Sequence, residues 1–195
     1  MVMYDDPRIL RAIAHPTRNR VLHELSASGS MRAADIAAAL EIPANQASFH
    51  LRQLAKYGIV EEDPEAARDK RDRVWRLVDP DGIRFRTSDM LAQPGGAAAY
   101  EVFRRNAVAW GHHLVDRALA TEALPGKSTS EWSVRLTVDE ARSLFAEVEE
   151  VVERYRAGGQ SHGVGEGGEE RSTYSIYQLI QPYPDLPEAG DNVEA

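Results

Sequence analysis

The chain has 195 residues and a formal net charge of -8, with 43% hydrophobic and 28% charged residues. This is the composition of a folded globular protein, long enough for one large domain or two small ones. The longest apolar run, Ile36 to Leu40, is far shorter than the roughly 20 residues of a membrane-spanning helix, so no membrane role is expected. The lack of cysteine excludes disulfides, thiolate metal sites, iron-sulfur clusters and cysteine nucleophiles.

The excess of acidic residues is confined to the second part of the chain. Residues 1–79 hold 12 Lys and Arg against 12 Asp and Glu, and residues 80–195 hold 11 against 19. The net acidity therefore does not argue against a nucleic-acid partner for the first part. Asp5 and Asp6 stand where a secretory signal would carry basic residues before an apolar stretch, so we expect a cytoplasmic protein.

Four helical patterns follow one another in the N-terminal part. A short helix, with Asp5 or Asp6 as N-cap and Pro7 in its first turn, gives way at His15 and Pro16 to a second helix that ends at Gly29. The third and fourth patterns, 33–40 and 44–57, are separated only by a three-residue turn, Glu41, Ile42 and Pro43. Two helices joined by such a turn predict a helix-turn-helix.

After Gly58 the pattern changes to that of a β-hairpin. Ile59 and Val60 are strand formers, residues 61–72 are highly polar, and residues 73–78 alternate with Trp75 and Leu77 on one side. Helices followed by a hairpin with a long charged tip make the winged variant of the helix-turn-helix domain. We place this domain at residues 5–79.

The second part begins with a linker and a long helix. Residues 80–96 form the predicted linker, which has a weakly helical segment up to Gln93. The helix predicted from 97 to about 122 carries apolar residues at alternating spacings of three and four, a pattern that favours packing against another helix. These residues, named here the apolar stripe, are Tyr100, Phe103, Ala107, Trp110 and Leu114.

Residues 97–181 form the predicted dimerisation and possible effector domain. Residues 131–138 and 172–181 alternate between apolar and polar side chains and predict two strands. Thr137 and Glu140 form a capping box that opens a helix between them. The glycine-rich residues 158–171 predict a mobile loop, and the proline-containing tail, 182–195, is expected to be disordered.

Three segments of the first part together resemble a known family. They read RAIAHPTRNRVLHEL, ADIAAALEIPANQASFHLRQLAKYGIVE and RDKRDRVWRLV, in that order. In this they resemble the winged-helix repressors related to the bacterial arsenic-responsive regulators (ArsR-like), which implies a DNA-binding domain in the first part. The metal-sensing members carry a cysteine pair in their third helix, whereas SASGSMRAADIA contains none. The resemblance therefore does not extend to soft-metal sensing.

One face of the helix over 44–57 is predicted to read DNA bases. Ala47, Leu51 and Leu54 share the face that packs inward, so the opposite face meets solvent or a partner. Asn and Gln can bond adenine edges in the major groove, Arg can bond guanine, and an apolar edge can contact the thymine methyl. The alternative is a merely solvated polar face. The candidate residues are Asn45, Gln46, Ser48, Phe49 and Arg52, with Gln53 on a flank.

The hairpin tip is predicted to contact the DNA backbone. Its cations can neutralise phosphates or enter the minor groove, although Asp69 and Asp72 lower the net positive charge of the segment. The alternative is a solvated turn whose charges pair with one another. The candidate residues are Arg68, Lys70, Arg71 and Arg73, followed by Arg76; Arg18 and Arg20 are weaker candidates.

The remaining histidine and aromatic residues point less clearly to a site. His50 is expected to be a hydrogen-bonded structural residue. His112, His113 and Asp116 have metal-like spacing on one helix, but an ordinary polar face explains them better, and we predict neither a metal nor a cofactor. Aromatic residues of the second part fit a plain core better than a ligand cavity. Without a nucleophile elbow, phosphate loop or HExxH helix, no enzymatic activity is expected.

The sequence thus predicts a mainly α fold with small β elements (α+β): an N-terminal winged helix-turn-helix and a C-terminal helical and β domain. The favoured function is a homodimeric transcriptional repressor that reads a pseudo-palindromic operator in double-stranded DNA. A small-molecule effector is possible in the second part. The alternatives are a winged-helix protein-interaction module and a ligand-binding sensor whose DNA binding is secondary.

Overall fold

The computed structural model describes residues 2–68, 73–122, 125–159 and 171–184. Helices dominate these residues, and the strands are short. The helices are α1 (Pro7–Ile13), α2 (Pro16–Ser28), α3 (Ala33–Leu40), α4 (Ala44–Ala55), α5 (Thr87–Ala92), α6 (Gly96–Leu119) and α7 (Val138–Gly159). The strands are β1 (Met3–Tyr4), β2 (Met31–Arg32), β3 (Val60–Glu62), β4 (Val74–Leu77) and β5 (Arg84–Phe85). No described helix combines the length and apolar character that crossing a membrane requires.

The predicted helices of the N-terminal part are confirmed, except that α4 ends at Ala55 and not at residue 57. Asp6 caps α1 by accepting a hydrogen bond from the Arg8 N–H, and Pro7 occupies the first turn, where its missing N–H costs nothing. Gly29 ends α2 with a positive φ. Glu41 ends α3 in the left-handed conformation and turns the chain into α4, so α3, the turn and α4 form the predicted helix-turn-helix.

The predicted hairpin is present and gains a third strand. β4 lies between β2 and β3 and is antiparallel to both. Trp75 pairs with Met31 on one side and with Glu62 on the other. The two-residue strand β2 is too short to show any periodicity, which is why the sequence pattern did not reveal it. Its pairing attaches the hairpin to the start of α3.

The hydrophobic core extends beyond residue 79. Side chains from α1 to α4 and from the hairpin form one cluster, which Met90 of α5 and Ala99 of α6 join. β5 pairs in parallel with β1, and Phe85 packs edge-on against Phe103 at 5.3 Å. A Cβ atom on Gly96 would stand 1.8 Å from the Met90 carbonyl oxygen, so only glycine permits this approach of α5 and α6.

The apolar stripe lies on α6 and packs within the chain at its N-terminal end. Phe103 and Tyr100 lie partly buried against the N-terminal core. Further along, Trp110 stacks on His23 of α2 with ring centroids 6.3 Å apart. The stripe therefore does face another helix, but that helix belongs to the same chain. Other apolar residues of α6 remain exposed: Val102, Val108, Val115 and Leu119.

The prediction of two strands in the second part is wrong. Residues 131–137 and 171–181 have no regular secondary structure. Trp132 is 80% exposed, and Ile176 and Leu179 are also exposed. Alternation of apolar and polar side chains stabilises a strand only where a neighbouring strand and a buried face exist, and the described residues supply neither.

The capping box of the second part is confirmed, with α7 beginning at Val138. The Glu140 carboxylate accepts a hydrogen bond from the Thr137 N–H, and the Glu140 N–H donates to the Thr137 hydroxyl. α7 extends to Gly159, two residues into the predicted glycine loop. Residues 160–170 of that loop, and 185–195 of the predicted disordered tail, lie outside the described residues.

The inner face of α4 should dominate the stability of the N-terminal domain. Leu51 is fully buried, so Leu51→Ala removes its packing and leaves a cavity. We expect it to lower the free energy of unfolding by about 2–5 kcal/mol. Gln46→Ala, at an exposed position on the outer face of the same helix, should change it by less than about 0.5 kcal/mol. Denaturant titrations of both variants measure the difference, and equal losses would contradict the assignment.

Candidate nucleic-acid interface

Helix α4, the second helix of the helix-turn-helix, presents two faces of opposite character. Ala47, Leu51 and Leu54 are fully buried, because they pack α4 against the core. Ser48 is half-buried, and the other candidate residues of this face are exposed: Asn45, Gln46, Phe49 and Arg52. The structure thus places the predicted base-reading residues on one accessible side of a helix whose other side is fixed. Gln53, on the flank, is half-buried.

Phe49 is the large apolar residue on this face. Its side chain is 48% exposed, while its ring meets the His50 ring edge-on at 5.5 Å. An aromatic ring held in this way offers an apolar edge to a partner without being free to collapse onto the core. The contact therefore orients Phe49 relative to the polar residues beside it.

His50 is buried, but the expectation that it is hydrogen-bonded is wrong. Its side chain is only 3% exposed, and neither ring nitrogen has a hydrogen-bond partner among the described residues. The His15 ring lies 4.9 Å away. Burial, followed by the charges of His15 and Arg18, lowers the pKa of His50 below its ordinary value.

The Arg18 side chain is hydrogen-bonded to the end of α1. Its guanidinium donates hydrogen bonds to the carbonyl oxygens of Ala12 and Arg11, which lie in the last turn of that helix. This position explains why Arg18 is half-buried and makes it a structural residue of the α1–α2 junction. Arg20, the other weaker phosphate candidate, is exposed on α2.

The base of the wing carries ion pairs across its two strands. Arg76 pairs with Glu61 at 2.8 Å, and Arg73 lies 3.6 Å from Glu62. The alternative of internally paired charges therefore describes part of the wing. Arg68 is exposed. Lys70 and Arg71, the other predicted phosphate contacts, lie outside the described residues.

Asp63 anchors the wing to the end of α2. The carboxylate is buried, accepts a hydrogen bond from the Ser30 hydroxyl and accepts another from the Glu65 N–H at 3.2 Å. The Ser30 hydrogen bond is the main reason why the pKa of Asp63 is below its ordinary value. The Asp63 N–H also bonds to the Val74 carbonyl oxygen at 2.8 Å, so this residue fixes both wing strands.

A polar cavity beside the wing was not predicted from the sequence. Its volume is about 160 Å³. The Arg32 guanidinium pairs with the Asp35 carboxylate at 2.7 Å, and Asp35 also accepts from the Arg32 N–H at the start of α3. The i, i+3 spacing of Arg32 and Asp35 was the available sequence signal. The lining residues are Ser30, Arg32, Asp35, Ala66, Arg68 and Val74.

The weak metal candidates do not form a site in the described part of the chain. His112, His113 and Asp116 lie exposed on α6. His113 contacts Trp110, with ring centroids 5.4 Å apart. No group of three or more His, Cys, Asp or Glu residues arranged for a metal ion occurs among the described residues.

The domain defined by α1–α4 and the β2–β4–β3 sheet is a winged helix-turn-helix. Residues 13–63 match the protein family described as "Helix-turn-helix domain". No similar sequence was found among curated proteins. The match covers α4 and the first wing strand but not the second part of the chain.

Several solved structures are distantly similar to this chain. Wild-type MarR from E. coli, in its apo form, is 18% identical, with a TM-score of 0.33, over 74% of this chain and 86% of that one. A mutant of ZitR from Lactococcus lactis is 14% identical, with a TM-score of 0.31, over 76% and 88%. A DNA-bound mutant of MepR from S. aureus is 14% identical, with a TM-score of 0.26, over 76% and 91%. At such scores these similarities support no functional conclusion.

The Asp63 anchor should make wing stability depend on pH. A carboxylate with a lowered folded pKa stabilises the protein above its unfolded pKa, and this contribution is lost as the pH falls through the folded pKa. We expect Asp63→Asn to lower the free energy of unfolding by about 1 kcal/mol at pH 7, and the difference to shrink below about pH 4. Asp5→Asn, at an exposed position, is the control. A difference that persists unchanged at pH 3 would contradict the prediction.

Proposed function

We propose that the protein is a DNA-binding transcriptional regulator. The observation that carries this proposal is the exposed outer face of α4, held outward by three fully buried residues of its inner face. A helix of this diameter fits the major groove of B-DNA, and the helix-turn-helix presents its second helix in this way. The proposal assigns a binding function and no reaction, and it implies that the protein acts in the cytoplasm.

The residues on α4 divide into different kinds of base contact. Arg52 can donate two hydrogen bonds to a guanine edge, and Asn45 and Gln46 can both donate to and accept from an adenine edge. Phe49 can contact a thymine methyl. Because all of them lie on one helix, their spacing along α4 would fix the spacing of the bases they read.

The wing would supply affinity that does not depend on sequence. Neutralising phosphates releases counterions, which makes binding fall steeply with salt concentration. Arg73 is partly compensated by Glu62, so the phosphate contacts in this proposal depend more on the tip cations Lys70 and Arg71. A winged-helix module that docks on a protein through apolar surface would lack this salt dependence.

We further propose that the regulator is a homodimer and a repressor, related to the ArsR-like proteins that its N-terminal segments resemble. No described residue of 125–159 or 171–184 is buried, although these segments contain many large apolar side chains. An exposed apolar surface of this extent is typical of an interface. Two copies related by a two-fold axis would present two recognition helices to a pseudo-palindromic operator, and the second part could also respond to an effector.

The base-reading assignment is tested by Arg52→Ala. Using a duplex selected by the wild-type protein from random sequences, we expect a loss of affinity of about 10- to 100-fold, because a paired guanine contact is worth about 1–3 kcal/mol. Binding to unselected DNA should change little. Arg71→Ala should instead weaken binding to both DNAs and reduce the salt dependence.

The control for these variants is Arg142→Ala, which removes an exposed arginine of α7 that is paired with Asp139. It removes the same charge away from the proposed interface and should leave both affinities unchanged. Equal losses for Arg52→Ala and Arg71→Ala on every sequence would contradict the groove assignment. Salt-independent binding, or no DNA binding at all, would contradict the regulator proposal itself.

The dimer is tested by charging the exposed apolar side of α6. The double substitution Val115→Asp and Leu119→Asp places two carboxylates where apolar contact is proposed, and we expect sedimentation to report a shift from dimer to monomer. Ser143→Asp, at an exposed position of α7, adds one carboxylate away from this surface and should leave the dimer intact. A wild-type monomer at micromolar concentration would contradict the proposal.

A further inference from the structure

The α1–α2 junction contains a group of basic side chains that the proposed DNA contacts do not use. The His15 ring at the start of α2 lies 4.9 Å from the His50 ring of α4, and the Arg18 guanidinium acts electrostatically on both. Arg18 is held there by its hydrogen bonds to the end of α1. The group therefore lies where α1, α2 and the recognition helix meet.

His50 has no means of carrying a proton in this position. Its two ring nitrogens are buried and unpartnered among the described residues, so an added proton would gain neither a hydrogen bond nor solvent. The charges that act on it are those of His15 and Arg18, both of which oppose protonation. The remaining ring neighbour, Phe49, lies at a steep angle to the His50 ring and has no nitrogen or oxygen acceptor. Arg18 also interacts with Tyr57, just beyond the end of α4, but this does not provide His50 with an acceptor.

We propose that the packing of α4 on the α1–α2 junction is acid-sensitive, because protonation of His50 is compatible only with a recognition helix that has moved away from His15 and Arg18. Below the ordinary pKa of histidine, the displaced state gains a proton that the packed state excludes. Stability is therefore fully present above about pH 6.5 and declines as the pH falls below it.

This inference concerns regulation of the site named in the proposed function, but the helix movement itself does not require DNA. If α4 reads bases, a displaced α4 would no longer hold Phe49 and Arg52 in register. Acidification would then weaken sequence-specific binding. If protonated histidines simply attracted phosphates, acidification would instead strengthen DNA binding.

The test is hydrogen exchange of the full chain without DNA, with protection factors of the α4 amides measured from pH 7.5 to pH 5.5. One proton taken up on opening predicts a loss of protection of about tenfold over this range. His50→Phe keeps an aromatic ring and cannot be protonated, so its α4 protection should change little with pH. His112→Phe, at an exposed position of α6, is the matched control and should behave as the wild type does.

A second variant keeps the test valid if His50→Phe does not fold. His15→Gln removes the neighbouring imidazole and opens His50 to solvent, so the loss of protection should be smaller than in the wild type. An NMR titration should also place the His50 pKa below the ordinary value for histidine. Equal acid-induced losses in the wild type, His50→Phe and His15→Gln would overturn the inference. Because no DNA is present, this result is independent of whether the chain binds an operator.

Discussion

The packing of the inner face of α4 is the interaction on which the rest of the N-terminal domain depends. Ala47, Leu51 and Leu54 are fully buried, and they fix the rotation of α4 about its own axis. This rotation determines which residues face outward. A helix turned by one position would bury Ser48 and expose Ala47, so the same three contacts provide stability and select the candidate interface.

The sequence was sufficient to predict the helix-turn-helix because local and long-range signals agree there. Pro7 and Gly29 mark helix ends, and the apolar spacing of α4 matches a helix with one buried face. The hairpin alternation around Trp75 was equally informative, since β4 has neighbours on both sides. Agreement among capping, periodicity and turn residues is what makes a segment predictable.

The same alternation led to a wrong prediction in the second part. A strand needs a neighbouring strand to pair with as well as alternating side chains, and alternation indicates only the second of these. Trp132, Val134 and Leu136 alternate as well as any strand, yet no described segment pairs with them. The short strands β1, β2 and β5 show the converse. Each is two residues long and carries no readable period, but each exists because a partner lies beside it. Pairing partners are a long-range property that a local pattern does not contain.

His50 shows both what a local sequence pattern predicts and what only long-range contacts determine. Its sequence position placed it correctly at the edge of the buried face, but only the structure brings His15 and Arg18 next to it. A buried aliphatic residue there would pack α4 without introducing any dependence on pH. The histidine adds a titratable group to the contact that sets the orientation of α4, so its ionisation and the geometry of the outer face are coupled through packing alone. That coupling needs no effector pocket, and it would act on the recognition helix even if the second part served only to hold two copies together.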